Sequence, residues 1–179
     1  MARILPEIST VEQHQQLVLD NPDVYRPACC PHCGKAGLHH HGHYERSTPK
    51  GEGQSLLFGV LFIIRFFCPG CRRSCSRLPG CLSPRRHYGW KTQQKVIEFL
   101  MAGQSIHQVA RQTWPYYRTV GRWWQRLESC FDQHAMSLRS RFPDLGRSVE
   151  LKGFWSRCFS VMSLAQAMGW LDHEGIPVP

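Results

Sequence analysis

Residues 30–34 read Cys-Pro-His-Cys-Gly, and residues 68–71 read Cys-Pro-Gly-Cys. Each is a Cys-x-x-Cys with Pro after its first Cys and a glycine inside or just behind the motif. A tight turn of this kind aims two thiolates and the neighbouring backbone N–H groups at one point. Two such turns supply four sulfur ligands, Cys30, Cys33, Cys68 and Cys71, the donor set of tetrahedral Zn²⁺ in a closed, structural site. One pair alone can equally be a redox motif; two pairs with matching Pro/Gly chemistry point to a zinc ribbon. Cys29 stands beside Cys30, but only Cys30 has the spacing to Cys33. Cys75 is near enough to Cys71 in sequence to be an alternative ligand.

Thirty-four residues separate Cys33 from Cys68, more than most ribbons use, and a long β-hairpin accommodates them. Leu38 to Arg46 (LHHHGHYER) reads as the first strand. Strand alternation puts His39, His41 and His43 on one face and His40 on the other. With four sulfurs available, the histidines read as a basic, nucleic-acid-facing strand and not as ligands. Ser47 to Ser55 (STPKGEGQS) is the turn, and Leu56 to Phe67 is the return strand. That apolar run is too short to span a bilayer and contains Arg65.

The charge is lopsided. Twenty-two Lys and Arg face thirteen Asp and Glu, a net charge of +9 in 179 residues, which favours a polyanionic partner and nucleic acid first. Nine cysteines is an odd number, and Met1-Ala2-Arg3 leads to Pro6 and Glu7 with no apolar signal behind it. Metal use in a reducing compartment fits better than a disulfide framework. The expected location is cytoplasmic and nucleoid-associated, with no membrane contact.

Residues 1–27 read as a leader holding a short helix, Val11 to Leu19, capped by Ser9 or Thr10. The ribbon covers 28–82. Behind Cys71 follows RRSCSRLPGCLSPRRHYGW, the densest basic stretch, with Arg72, Arg73, Arg77, Arg85 and Arg86. Its prolines and glycines mark a linker able to lie along a phosphate backbone, with 83–90 as its last part.

Residues 91–130 read as a helix-turn-helix module. Thr92 to Met101 places Val96, Ile97, Phe99 and Leu100 on one apolar face. Ser105-Ile106-His107-Gln108 is a capping box opening a second helix to about Thr113. Trp114-Pro115 makes the turn. Tyr116 to Leu127 is the third helix, with Val120, Trp123 and Leu127 inward. Tyr116, Tyr117, Arg118, Arg122 and Gln125 then face outward, and Arg and Gln are the side chains that reach guanine and adenine edges. Residues 131–179 form a helical extension, broken at Pro143 to Gly146. Phe154 to Leu171 reads as one last helix, packed on the core or paired with a second copy.

CPHCG, LHHHGHYER, RFFCPGCRRSCSRLPGCLSP, QSIHQVARQ and RTVGRWWQRL, in that order, resemble the N-terminal regions of bacterial insertion-sequence transposases. The group most similar is one of short transposase-related proteins with a zinc ribbon and a helix-turn-helix. The resemblance covers about residues 28 to 128. It implies zinc on the four cysteines and duplex DNA contact through Arg118 and Arg122. Aromatic residues are commoner than Cys at positions like Cys75 and Cys81 in such proteins, which implies core or linker roles for both. Catalysis does not carry over. Strand transfer needs a separate domain whose acids hold two Mg²⁺ ions, and here Asp132, Asp144, Glu150, Asp172 and Glu174 have no expected sheet to gather them. A four-cysteine site, closed to substrate, argues against zinc hydrolysis.

The expectation is therefore an α+β chain: an N-terminal zinc-ribbon β-hairpin, an all-α helix-turn-helix module and a C-terminal helix. Its expected function is duplex DNA binding without enzymatic activity. The alternatives are an interaction module or accessory subunit, partnered by a transposase, the transcription machinery or a second copy, and a truncated transposase remnant.

Overall fold

The computed structural model describes residues 3–49, 59–84, 87–146 and 148–178. Its class is α+β, with an N-terminal hairpin followed by helices. The hairpin pairs β2 (His39–Ser47) antiparallel with β3 (Val60–Cys68), and β4 (Arg73–Cys75) adds a third strand beside β3. Of the turn expected over Ser47–Ser55, everything from residue 50 on lies outside the described residues, as do Leu56 to Phe58 of the return strand.

The largely apolar run of β3, interrupted at Arg65, has a structural reason: beyond the exposed Val60 and Phe62, apolar residues on both faces of this central strand are covered. Ile64, Phe66 and Cys68 point into a cluster with Leu5, Ile8, Tyr25, Cys30 and Leu38, while Leu61 and Ile63 meet Leu82 on the other side. A strand buried on both faces has no polar face to alternate with. The edge strand β2 is the opposite, exposed along nearly its whole length.

Alternation fails in β2. The register steps from His40↔Phe66 to His43↔Ile64, so His41 and Gly42 stand against Arg65 alone in a bulge, with Gly42 at φ +71°. His43 therefore joins His40 on the Ile64/Phe66 side, with its ring 4.7 Å from that of Phe62, while His41 lies against Phe67. The expected grouping of His39, His41 and His43 on one face is corrected by that one extra residue.

The segment expected as a leader is built into both halves of the molecule. β1 (Ile4–Leu5) pairs in parallel with β5 (Leu78–Pro79). Side chains alternate across a strand, so Ile4 enters the helical core and Leu5 the core under the hairpin. Helix α1 (Val11–Asp20), capped by Thr10, packs on β3. Its buried His14 meets the Tyr25 hydroxyl at 2.6 Å, and burial holds this imidazole down to about 4, hence neutral at pH 7.

The stretch behind Cys71 is not a solvated linker. It supplies β4 and β5, and it buries Leu82 and Ser83 completely. Gly80 is needed there, because a Cβ would sit 3.0 Å from the Leu5 carbonyl oxygen and from the Pro6 Cα.

Helices α2 (Trp90–Met101), α3 (Ile106–Gln112) and α4 (Tyr117–Ser129) share a core of Val96, Leu100, Val109, Val120 and Trp123. Ser105 and Gln108 form both bonds of the capping box. Helix α5 (Phe131–Arg141) follows after a break at Cys130, and Gly146 at φ +72° ends the next 3-10 turn.

The single helix expected over Phe154–Leu171 is two: α6 (Leu151–Val161) and α7 (Leu164–His173). Met162 is extended, and Ser163 with Gln166 makes a second complete capping box. The physical reason is the same N-cap chemistry as at Ser105. Phe154, Trp155, Cys158, Leu164, Ala167, Met168 and Leu171 are all buried with Ile4, Trp90, Ile97 and Leu127, so this region is core. No helix among the described residues is long and apolar enough to cross a membrane.

Candidate metal centre and basic helical face

Two similar knuckles build the cysteine site. In the first, the Cys30 N–H donates to the Lys35 carbonyl at 2.8 Å, and the Gly34 N–H returns to the Cys30 carbonyl at 2.9 Å. In the second, the Arg72 N–H donates to the Cys68 carbonyl at 2.8 Å. The residue after each second cysteine has a left-handed backbone, Gly34 at φ +74° and Arg72 at φ +56°. Glycine adopts that conformation freely, whereas an arginine does so at a cost.

The knuckles face each other. Cys30 Sγ lies 3.6 Å from Cys71 Sγ, Cys33 Sγ lies 3.6 Å from Cys68 Sγ, and all four sulfurs fall within 4.8 Å of one another. Sulfurs about 2.3 Å from a tetrahedral Zn²⁺ are separated by about 3.8 Å. A disulfide needs about 2.05 Å. The four residues thus fit one tetrahedral metal ion and not two disulfides.

Electrostatics agree. Burial opposes ionisation of Cys30, but the His32 and Cys33 backbone N–H groups and the neighbouring thiols outweigh it and bring Cys30 down to about 7. Burial, with the other three cysteines, pushes Cys71 up to about 12. A divalent cation at this point would favour the thiolate form of its ligands. Cys75, on β4, is not in the cluster. Burial and the charge of Cys30 and Cys68 push its thiol up, and it packs beside Cys71 under the hairpin. Cys81 packs against Leu61, Ile63 and Leu82.

The expected DNA-contact residues separate into groups. Arg72 and Arg73 are exposed beside the metal knuckle. Arg77 is not with them. It is half-buried, burial lowers its pKa against the pull of Glu7 and Asp172, and its Nε is buried without a hydrogen-bond partner. Arg77 immediately precedes the Leu78–Pro79 strand that pairs with β1. Arg85 and Arg86 lie outside the described residues.

On α4, Val120, Trp123 and Leu127 are buried as the 3-4 spacing requires, which turns Arg118, Arg122 and Gln125 to solvent. Tyr116, 62% exposed, lies 4.4 Å from Tyr117, whose ring stacks on His107 of α3 at 4.9 Å. Arg118 Nε donates to the Tyr117 hydroxyl at 3.3 Å. Arg122 donates to Thr119 at 3.4 Å. Gly121 faces Ile106 of α3, where a Cβ would be in ordinary contact at 3.7 Å.

Comparison with models of protein families matches residues 30–123 to DUF6431, a domain of unknown function. The chain belongs to the DUF6431 family. The matched span opens on the first cluster cysteine and closes on Trp123, so the DUF6431 domain takes in all four cysteines and the shared core of α2, α3 and α4. No curated protein and no solved structure gives a significant match.

Sequence reading assigned Arg126 and Arg3 no role, and named Asp172 only among the scattered acids. Arg126 was within reach, because it stands one helical turn beyond Arg122. Arg3 and Asp172 are 169 residues apart and meet only in the folded chain, where the Arg3 N–H donates to the Asp172 carboxylate.

Proposed function

We propose that the DUF6431 protein is a duplex-DNA-binding protein of mobile-element, transposase-related origin, and that it acts without a catalytic domain. In this reading the four cysteines hold a structural Zn²⁺ that folds a zinc ribbon. Helices α2 to α4 are a helix-turn-helix unit, with α4 as the helix that enters the major groove. The single observation that carries the reading is the exposed basic face of α4. Arg118, Arg122 and Gln125 are set opposite the buried Val120, Trp123 and Leu127, in a chain of net charge +9. An amphipathic helix fixed by its apolar side presents the other side as a unit, and guanidinium and amide groups match the hydrogen-bonding edges of guanine and adenine. Exposed Arg72 and Arg73 add phosphate contacts beside the ribbon.

Fluorescence anisotropy with labelled duplexes tests it. Affinity should fall steeply with salt, as counterion release requires. Arg118→Ala should relax sequence preference, whereas Arg72→Ala should weaken every duplex alike. A purified, metal-loaded protein with no duplex affinity even at low salt would overturn the reading.

A second reading, an interaction module, draws on the hairpin. Tyr44, Val60 and Phe62 are each about two-fifths exposed, on and beside β2, whose outer edge has no strand partner among the described residues. Concentration-dependent self-association that disappears on Phe62→Lys, in a protein inert toward duplex, would favour it.

A further inference from the structure

Beside α4 runs a cleft of about 710 Å³, apart from the cysteine site, that shares only Arg122 with the outward face of α4 described above. Its walls come from four parts of the chain: Arg3 near the N-terminus, Pro84 with His87 and Tyr88 ahead of α2, Arg122 and Arg126 on α4, and the segment Gly175 to Val178 behind α7. Arg3, Arg122 and Arg126 are all exposed, and among the described residues no carboxylate lies within ion-pair distance of any of them. Three arginines line one concavity, two of them at i and i+4 on one helix, and like charges on one wall favour an anion beside them.

The one acid in the wall does not serve as that anion. Asp172 is 7% exposed, and its Oδ2 accepts the backbone N–H of both Arg3 and Ile4, at 2.5 and 2.8 Å. Its work is to pin the N-terminal strand in place, which sets Arg3 at the rim. The charge of Arg126 also reaches inward. Buried His134 is kept below its ordinary range first by its burial, and Arg126 adds to that. The remaining lining is chemically mixed, with Thr119, His87 and Tyr88 together with Trp123 and Ile176. A phosphodiester strand, with anionic oxygens on one side and sugar faces on the other, has matching character. The guanidinium fork suits the phosphate oxygens in particular.

We infer that this cleft is a phosphate-binding site for the DNA backbone, with Arg3, Arg122 and Arg126 as its forks and Asp172 as the residue that positions Arg3. The inference rests on the DNA-binding reading and deepens it. Arg122 becomes a contact to phosphate, base reading stays with Arg118 and Gln125, and both ends of the chain join the interface.

The test measures duplex affinity across a salt series for the metal-loaded wild type, Arg3→Gln/Arg126→Gln and Arg126→Lys. The plot of log affinity against log salt should flatten by about 0.9 for each phosphate no longer neutralised, hence by about 2 in the double variant. The weakening should be equal on every sequence, and Arg126→Lys should keep the wild-type slope. A wild type that binds duplex steeply, with an unchanged slope in the double variant, overturns the cleft and leaves the DNA reading standing. Inorganic phosphate, followed by tryptophan fluorescence because Trp123 lines the cleft, separates the two claims. If it binds wild type but not the double variant while duplex does not bind at all, the phosphate site stands, its source is a free phosphate ester, and the DNA reading fails. If neither duplex nor phosphate binds, both are overturned.

Discussion

The two halves of this molecule are held together by different means. Under the hairpin, the core around Phe66 and Tyr25 is small, and two of its buried members, Cys30 and Cys68, are themselves part of the thiol cluster. The helical half has a broader core, with Trp155, Phe154, Leu138 and Leu164 buried and several aromatic edges touching. A small β unit whose four clustered thiols could hold a metal ion would gain order from that ion, whereas the helical core supplies its own through apolar burial. Between them runs β1, one residue facing each way.

Metal removal should break this contrast most visibly. With chelator and reductant present, we expect amide protection to vanish around Ile64 and Phe66 and to persist around Val120 and Trp155. Hydrogen exchange reads both at once. Uniform loss in the two halves would show that they fold as one unit and that the contrast is false.

Next in size is Trp155→Ala. Trp155 is fully buried between Phe154 and Phe159, and removing such a side chain costs about 3–5 kcal/mol. Urea unfolding should show the single transition moving down by that amount, with metal stoichiometry unchanged below it. Asp172→Ala strikes the seam. It leaves the N–H groups of Arg3 and Ile4 without their acceptor, at about 1–3 kcal/mol. The expected result is two separated unfolding transitions where the wild type has one. The smallest effect is Arg72→Gly. Relief of a left-handed arginine should stabilise the metal-loaded protein by about 1 kcal/mol, seen as a higher thermal midpoint, while duplex affinity falls because a cation is gone.

Legibility varied with the range of the interaction. The cysteine pairs, the Ser105 capping box and the 3-4 spacing of Val120, Trp123 and Leu127 are local patterns, and each appears in the structure where it was expected. Ser163 with Gln166 is the same capping signal as Ser105 with Gln108, yet the apolar run from Phe154 to Leu171 masked it. Periodicity continues across a break when both helices bury the same side. The bulge at His41-Gly42 was also written locally, as a glycine in a strand, but its effect on facing depends on the partner strand.

What the sequence by itself determined is therefore the set of elements and the donor atoms: a hairpin between two thiol knuckles, then helices, with Cys30, Cys33, Cys68 and Cys71 able to meet at one ion. Only the tertiary structure decided that Arg77 is half-buried, that the N-terminal segment belongs to both cores, and that Arg3, Arg122 and Arg126 line one cleft. The reason is physical. Spacing along a chain encodes contacts within a turn or a helix, where geometry is fixed by the backbone. The environment of a charge depends on surfaces brought from far along the chain, and no local pattern records them.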